Sequence, residues 1–114
     1  MRSGASPQAR QVTLPVVVIF IRGAGWDAAE ALGRQSGIAE HAAFIHRLME
    51  RGVVVHAGPL HHLGEVVTEE VVGLAILSGF EEEVGELIAQ DPAVQVGTLD
   101  FRFYEWHVSG FAGP

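Results

Sequence analysis

Two residues in the sequence, His41 and Asp91, have the types and positions of a general acid–base pair. The pattern of apolar residues predicts helices over 38–51 and 81–90. On a helical wheel His41 comes out at about 300°, inside the apolar stripe of the first helix. Asp91 follows the second helix and falls about 40° from its apolar residue Leu87. Both side chains are therefore expected to point toward the core.

An imidazole that faces a carboxylate in an apolar cleft is suited to general base catalysis. The position of His41 near a helix start disfavours the imidazolium and leaves the neutral ring as the form that accepts a proton. Asp91 could hold that ring in one tautomer and stabilise the charge that forms. A structural role stays open, because an inward histidine is commonly a hydrogen-bonded core residue and Asp-Pro commonly ends a helix.

The composition excludes several other chemistries. The 114 residues contain no cysteine, and all seven basic side chains are arginines. Thiol nucleophiles, thiolate metal sites, lysine Schiff bases and the lysine of phosphate-binding loops are therefore ruled out. The formal net charge is -7 and the arginines are scattered along the chain, so neither nucleic acid nor an anionic membrane is expected as a partner.

The elements that must position the pair alternate between strand and helix. Apolar runs and alternating patterns predict strands over 15–21, 53–58, 71–77 and 94–107. Together with the two helices they give the order βαββαβ, which is the ferredoxin-like arrangement. We therefore expect an α+β fold with a four-stranded antiparallel sheet and two helices on one face.

Length and flanking composition predict a single domain. Residues 1–13 form a flexible lead-in, 14–108 the domain and 109–114 a tail. The apolar run 14–21 is far shorter than the roughly 20 residues that cross a bilayer, and it lacks the features of a signal peptide. We therefore predict a cytoplasmic protein with no membrane contact.

The face of the sheet opposite the helices is predicted to be apolar. The first strand is apolar at every position over 16–21, so both of its faces carry large aliphatic side chains. An apolar patch of that size normally marks an interface. We expect a homodimer in which two such sheet faces pack together.

The topology also predicts which residues surround the pair. The start of the first helix, the end of the second helix and the loop 59–70 all fall at one end of the sheet. We expect Arg22 at this end to steady an anionic small-molecule substrate. The full set of expected substrate-binding residues is Arg22, Trp26, Gly58, Pro59 and His61, with the neighbouring His62 as an alternative to His61.

Three segments resemble the YCII-related family. They are GIAEHAAFI at 37–45, HAGP at 56–59 and DPAVQVG at 91–97, and the resemblance extends over nearly the whole predicted domain. It implies a small dimeric α+β barrel with a ferredoxin-like core. It also implies a catalytic role for a shared histidine and aspartate, which match His41 and Asp91. One branch of the family resembles dehydrochlorinases that process chlorinated hydroxyquinols.

Two other patterns, one for dinucleotide binding and one for a metal site, are only weakly supported. Residues 23–28 fit the dinucleotide fingerprint G-x-G-x-x-A, but glycines interrupt the helix that the fingerprint requires. A metal site built from His41, a loop histidine and Asp91 has poor ligand spacing. We therefore expect neither a metal nor an organic cofactor.

The leading hypothesis is a small enzyme that uses His41 as general base or acid and Asp91 to orient it. The reaction would be a proton abstraction with elimination or isomerisation of a small organic molecule. A second hypothesis is a non-catalytic module that binds a small ligand or assembles with partners. A third is a cofactor-free monooxygenase that would use Trp26 and the same cleft.

Overall fold

A computed structural model describes residues 14–64, 71–78 and 81–110. The predicted lead-in 1–13, loop residues 65–70 and tail residues 111–114 lie outside the described residues, so the domain boundaries stay a prediction. The helices and strands are β1 (Val16–Arg22), a 3-10 turn (Leu32–Arg34), α1 (Ile38–Glu50), β2 (Val54–Pro59), β3 (Val71–Leu77), α2 (Glu81–Ile88), α3 (Pro92–Gln95) and β4 (Leu99–Glu105).

The four strands form one antiparallel sheet in the order β2-β3-β1-β4. The central strand β1 pairs with β3 on one side and with β4 on the other, so that Ile19 lies between Leu74 and Arg102. This order is the one that two right-handed βαβ crossovers produce. The predicted ferredoxin-like α+β fold is confirmed.

A single hydrophobic core lies between the sheet and the helices. Every second residue of β1 is buried, namely Val16, Val18 and Phe20, as the two-residue period of a strand requires. In α1 the buried residues are Phe44, Ile45 and Leu48, which share one helical face. None of the helices in the described ranges is long and apolar enough to cross a membrane.

The structure corrects the predicted boundaries of the last elements. The predicted strand 94–107 begins only at Leu99, because the short helix α3 occupies the preceding residues. The Asp91 side chain caps α3 by accepting a 2.9 Å hydrogen bond from the amide of Ala93, and Pro92 stands in the first turn, where a missing N–H costs nothing. The described part of the chain thus contains a third α-helix beyond the two predicted.

A close backbone contact joins the loop after β1 to the loop before β4. The Gly23 amide donates to the Thr98 carbonyl at 2.9 Å, and the Gly25 amide donates to the Gly97 carbonyl at 2.7 Å. A Cβ atom at Gly23 would overlap the carbonyl oxygen of Gly97. Glycine is required here because the two backbones approach too closely for any side chain.

Substitution Gly23→Ala is expected to destabilise the protein by about 1–3 kcal/mol, since the group it meets is backbone and cannot rotate away. The measurement is urea unfolding followed by circular dichroism. Gly33→Ala is the matched control, because an added Cβ there meets nothing within 4 Å. Equal unfolding midpoints for the two variants would contradict this prediction.

Candidate functional site

The His41 and Asp91 side chains are in direct contact. His41 Nδ1 lies 2.5 Å from Asp91 Oδ2, although 50 positions separate the two residues in the chain. The Asp91 side chain is fully buried, whereas the His41 side chain is 19% exposed. The imidazole therefore connects a buried carboxylate to a region that a small molecule can reach.

The starts of two helices bring the pair together. His41 lies in the first turn of α1, and its amide donates to the carbonyl of Gly37 at 2.8 Å. Gly37 has a φ of 79°, and a Cβ there would stand 3.1 Å from the Cα of Ala93 in α3. Because Gly37 has no side chain, the start of α1 can approach the start of α3, which Asp91 caps.

The hydrogen bonds determine which nitrogen of His41 is available. The amide of Ala93 donates to Asp91 Oδ1 at 2.9 Å, while His41 Nδ1 faces Oδ2. An ionised carboxylate only accepts hydrogen bonds, so the proton of the neutral ring is assigned to Nδ1. The lone pair then resides on Nε2, the nitrogen on the opposite side of the ring.

Phe20 provides a second restraint on the imidazole. The two rings meet edge to face, with centroids 5.0 Å apart and an interplanar angle of 81°. Phe20 is the last inward-facing residue of β1 and is 3% exposed. An aromatic contact of this geometry adds to the hydrogen bond that His41 donates to Asp91 in holding the ring.

His41 lines an apolar cavity of about 370 Å³ between α1 and the sheet. This volume lies within the range of about 300–1,000 Å³ that is typical of small-molecule sites. Among the described lining residues, His41 and His46 carry the only polar side chains. The lining residues are Phe20, Leu32, Gly33, Ile38, His41, Ala42, Ile45, His46, Met49, Ala57, Gly58, Pro59, Val72, Gly73, Leu74 and Leu99.

The five residues expected to bind substrate fall into two groups. Gly58 and Pro59, at the end of β2, line the cavity. Arg22 places its guanidinium 5.1 Å from the ring centroid of Trp26, and neither residue lines the cavity. His61 lies exposed in the loop after β2, also outside the cavity lining. Substrate binding by these residues stays a prediction.

Of the remaining described histidines, His56 and His62 are exposed, and the other two each lie near a glutamate. His46 is exposed on α1, where it lines the cavity and lies 3.6 Å from Glu50. His107 pairs with Glu105 at 2.8 Å on the exposed end of the sheet. Within the described ranges, no group of three or more histidine or acidic side chains could hold a metal ion.

Several cavity residues were not predicted from the sequence. Phe20 could have been found, because it shares the inward side of β1 with Val16 and Val18 and ends next to the predicted site. Leu32 and Gly33 lie in a long loop without periodicity, so no sequence pattern indicates that they form a wall of the cavity.

Comparison with known proteins supports the fold. The chain is similar to the solved structure of 5-chloro-2-hydroxyhydroquinone dehydrochlorinase from Burkholderia phenoliruptrix AC1100 in complex with 2,5-dihydroxybenzoquinone. The TM-score is 0.56 with 17% sequence identity, and the match covers 80% of this chain and 92% of that chain. No family model matches the sequence, and no curated protein matches it either. Membership of the YCII-related family therefore stays a prediction.

Substitution Asp91→Asn is expected to invert the tautomer of His41. The single oxygen of the asparagine amide is needed to cap the amide of Ala93, so its NH₂ group would face His41 Nδ1. That nitrogen would then have to accept, which moves the ring proton to Nε2. Ring ¹⁵N chemical shifts measure the tautomer directly. Glu105→Gln, which alters the exposed partner of His107, should leave the His41 signals unchanged, and an Nδ1 proton retained in Asp91→Asn would refute the assignment.

Proposed function

We propose that the chain is a small enzyme in which His41 is the general base and Asp91 is its positioning residue. The observation that carries the proposal is the 2.5 Å contact between a buried carboxylate and an imidazole on the wall of an apolar cavity. A hydrogen-bonded core histidine would also contact a carboxylate. It would not need to face a cavity of ligand size.

The proposed reaction begins when His41 Nε2 accepts a proton from the bound substrate. The positive charge that forms on the ring is stabilised by Asp91, whose burial strengthens the attraction. The electron pair left on the substrate then expels a leaving group, which is elimination. Alternatively it takes the proton back at another atom, which is isomerisation. The apolar walls keep water from competing for the proton.

The cavity favours an uncharged, largely apolar ring compound as substrate. Among the described lining residues there is no arginine, aspartate or glutamate, so a charged substrate would lose its hydration without gaining an ionic partner. The similar dehydrochlorinase was solved with 2,5-dihydroxybenzoquinone. A hydroxylated six-membered ring is therefore the substrate class to test first.

A ligand-binding role without catalysis is the second candidate. It is favoured by the scarcity of polar groups, since His41 and His46 alone would meet a ligand with polar side chains among the described lining residues. The monooxygenase alternative would use Trp26, which lies beside Arg22 and outside the cavity lining. No described contact favours that alternative.

The open face of the sheet supports our further proposal of a homodimer. Val17, Ile19, Leu74 and Ile76 point away from the helices and are half-buried, and Tyr104 beside them is 57% exposed. These residues form an apolar strip across three strands, which Arg102 borders beside Ile19 and which a monomer would leave partly in water. An identical strip on a second copy would cover it with matching shape and composition.

Release of chloride from 5-chloro-2-hydroxyhydroquinone under anaerobic conditions tests the enzymatic proposal. His41→Gln is expected to lower turnover by about 10²–10⁴-fold, the usual contribution of a general base. His107→Gln is the control, because that histidine lies at the other end of the sheet and is exposed. Turnover by His41→Gln at the rate of the control would remove His41 from the mechanism. If hydroquinone, which is uncharged at neutral pH, binds but no chloride appears, the ligand-binding role is favoured.

Substitution Val17→Asp is expected to convert the dimer to a monomer, because Val17 lies between Ile76 and Tyr104 and a carboxylate there would be buried without an ionic partner. Sedimentation velocity measures the assembly, and circular dichroism confirms that the variant is folded. Leu63→Asp is the control, since Leu63 is 88% exposed in a loop and should leave the dimer intact. A wild-type protein that sediments as a monomer would refute the proposed assembly.

A further inference from the structure

The described residues contain three buried polar side chains, Gln35, Asp91 and Thr98. Asp91 is accounted for by its contact with His41 and by the cap of α3. Gln35 and Thr98 have no part in the proposed reaction. A buried polar side chain is costly unless it is hydrogen-bonded, so their partners indicate what they stabilise.

Gln35 closes the loop that precedes α1. Its Oε1 accepts a 2.9 Å hydrogen bond from the amide of Asp27. Its Nε2 donates to the carbonyl of Asp27 at 2.7 Å and to the carbonyl of Glu30 at 2.8 Å. One side chain therefore makes three hydrogen bonds to the backbone of a loop that begins eight residues earlier.

The same loop supplies one wall of the cavity through Leu32 and Gly33. The 3-10 turn that contains both residues has no buried residue of its own. Leu32 is half-buried, so apolar packing holds the wall only in part. The hydrogen bonds of Gln35 and the backbone bonds of the turn supply the rest.

Thr98 anchors the other end of this loop. Its Oγ1 donates to the carbonyl of Ser36 at 2.7 Å, and its own carbonyl accepts from Gly23. Ser36 stands directly between Gln35 and the start of α1. The end of the loop is thus fixed beside the segment that carries Asp91. Because Ser36 follows Gln35 in the chain, this hydrogen bond also restrains the position of Gln35.

We propose that Gln35 is a positioning residue that strengthens ligand binding in the cavity by holding Leu32 and Gly33 in place. The proposal rests on the cavity being the ligand site, as proposed above. With Gln35 in place the wall is already ordered, so a bound compound loses no binding free energy to ordering it. Without Gln35, part of the binding free energy would be spent on ordering that wall.

The first arm of the test measures the order of the loop without any ligand. The chain has two tryptophans, so Trp106→Phe leaves Trp26, next to Asp27, as the only one. In this background Gln35→Ala is expected to increase both acrylamide quenching of Trp26 and amide exchange over 27–33. Gln95→Ala, which removes an exposed glutamine, is the matched control and should change neither quantity.

The second arm measures the affinity for hydroquinone, a one-ring compound that is uncharged at neutral pH, under anaerobic conditions. Gln35→Ala is expected to weaken its binding by about tenfold, which corresponds to about 1.4 kcal/mol. Gln95→Ala is again the control and should bind hydroquinone as the wild-type protein does. Gln35→Glu retains the acceptor but sets a carboxylate against two carbonyl oxygens, so it should also weaken binding. Gln35→Glu replaces Gln35→Ala in both measurements if Gln35→Ala does not fold.

The outcomes separate this inference from the proposed function. Binding of hydroquinone without chloride release from the chlorinated hydroquinone would favour the ligand-binding role and leave the role of Gln35 intact. An unchanged affinity for hydroquinone in a folded Gln35 variant would overturn the inference, and so would unchanged quenching and exchange. Failure of wild-type protein to bind hydroquinone would also overturn it.

Discussion

The architecture around the site depends on one buried carboxylate. Asp91 is fully shielded from water, and removing a carboxylate from water costs several kcal/mol unless it is fully hydrogen-bonded. Its two oxygens are satisfied by the amide of Ala93 and by His41 Nδ1. Because these donors belong to α3 and α1, the starts of both helices must converge on Asp91.

The glycines beside this carboxylate follow from the same requirement. Gly37 lets α1 approach α3, and Gly23 lets the end of β1 approach the strand that follows α3. A side chain at either position would push a helix or strand away and weaken the hydrogen bonds to Asp91. The pair is thus supported by backbone contacts on both sides, as a preorganised catalytic group requires.

Sequence periodicity was sufficient for the parts of the fold that pack through regular apolar faces. The succession βαββαβ along the chain, the long helix α1 and the inward positions of His41 and Asp91 all follow from two- and 3.6-residue periods. The short helix α3 could not be predicted in this way. Asp91-Pro92 fits the end of one helix as well as the N-cap of the next, and four residues are too few to show a period. The early start predicted for β4 was wrong for that reason.

The residues of the cavity wall could not be predicted from the sequence for a different reason. Leu32 and Gly33 are placed by hydrogen bonds of Gln35 within an irregular loop, and Ser36 is held by Thr98, which lies 62 positions away. Periodicity describes how a segment packs on its own neighbours and carries no information about such distant hydrogen bonds. A glutamine in a polar loop looks like a surface residue until its three partners are known.

The charges around the cavity restrict the chemistry that the proposed mechanism can support. A proton on His41 would be balanced by Asp91, so the protonated pair carries no net charge in its apolar setting. The electron pair left on the substrate has no such partner, because no arginine is found among the described lining residues. A localised anion would be costly there. An anion whose charge is delocalised over a ring and its oxygens, or is transferred to a leaving group, would cost much less free energy. A conjugated ring with a leaving group or a mobile proton therefore fits this cavity better than a saturated substrate of the same size.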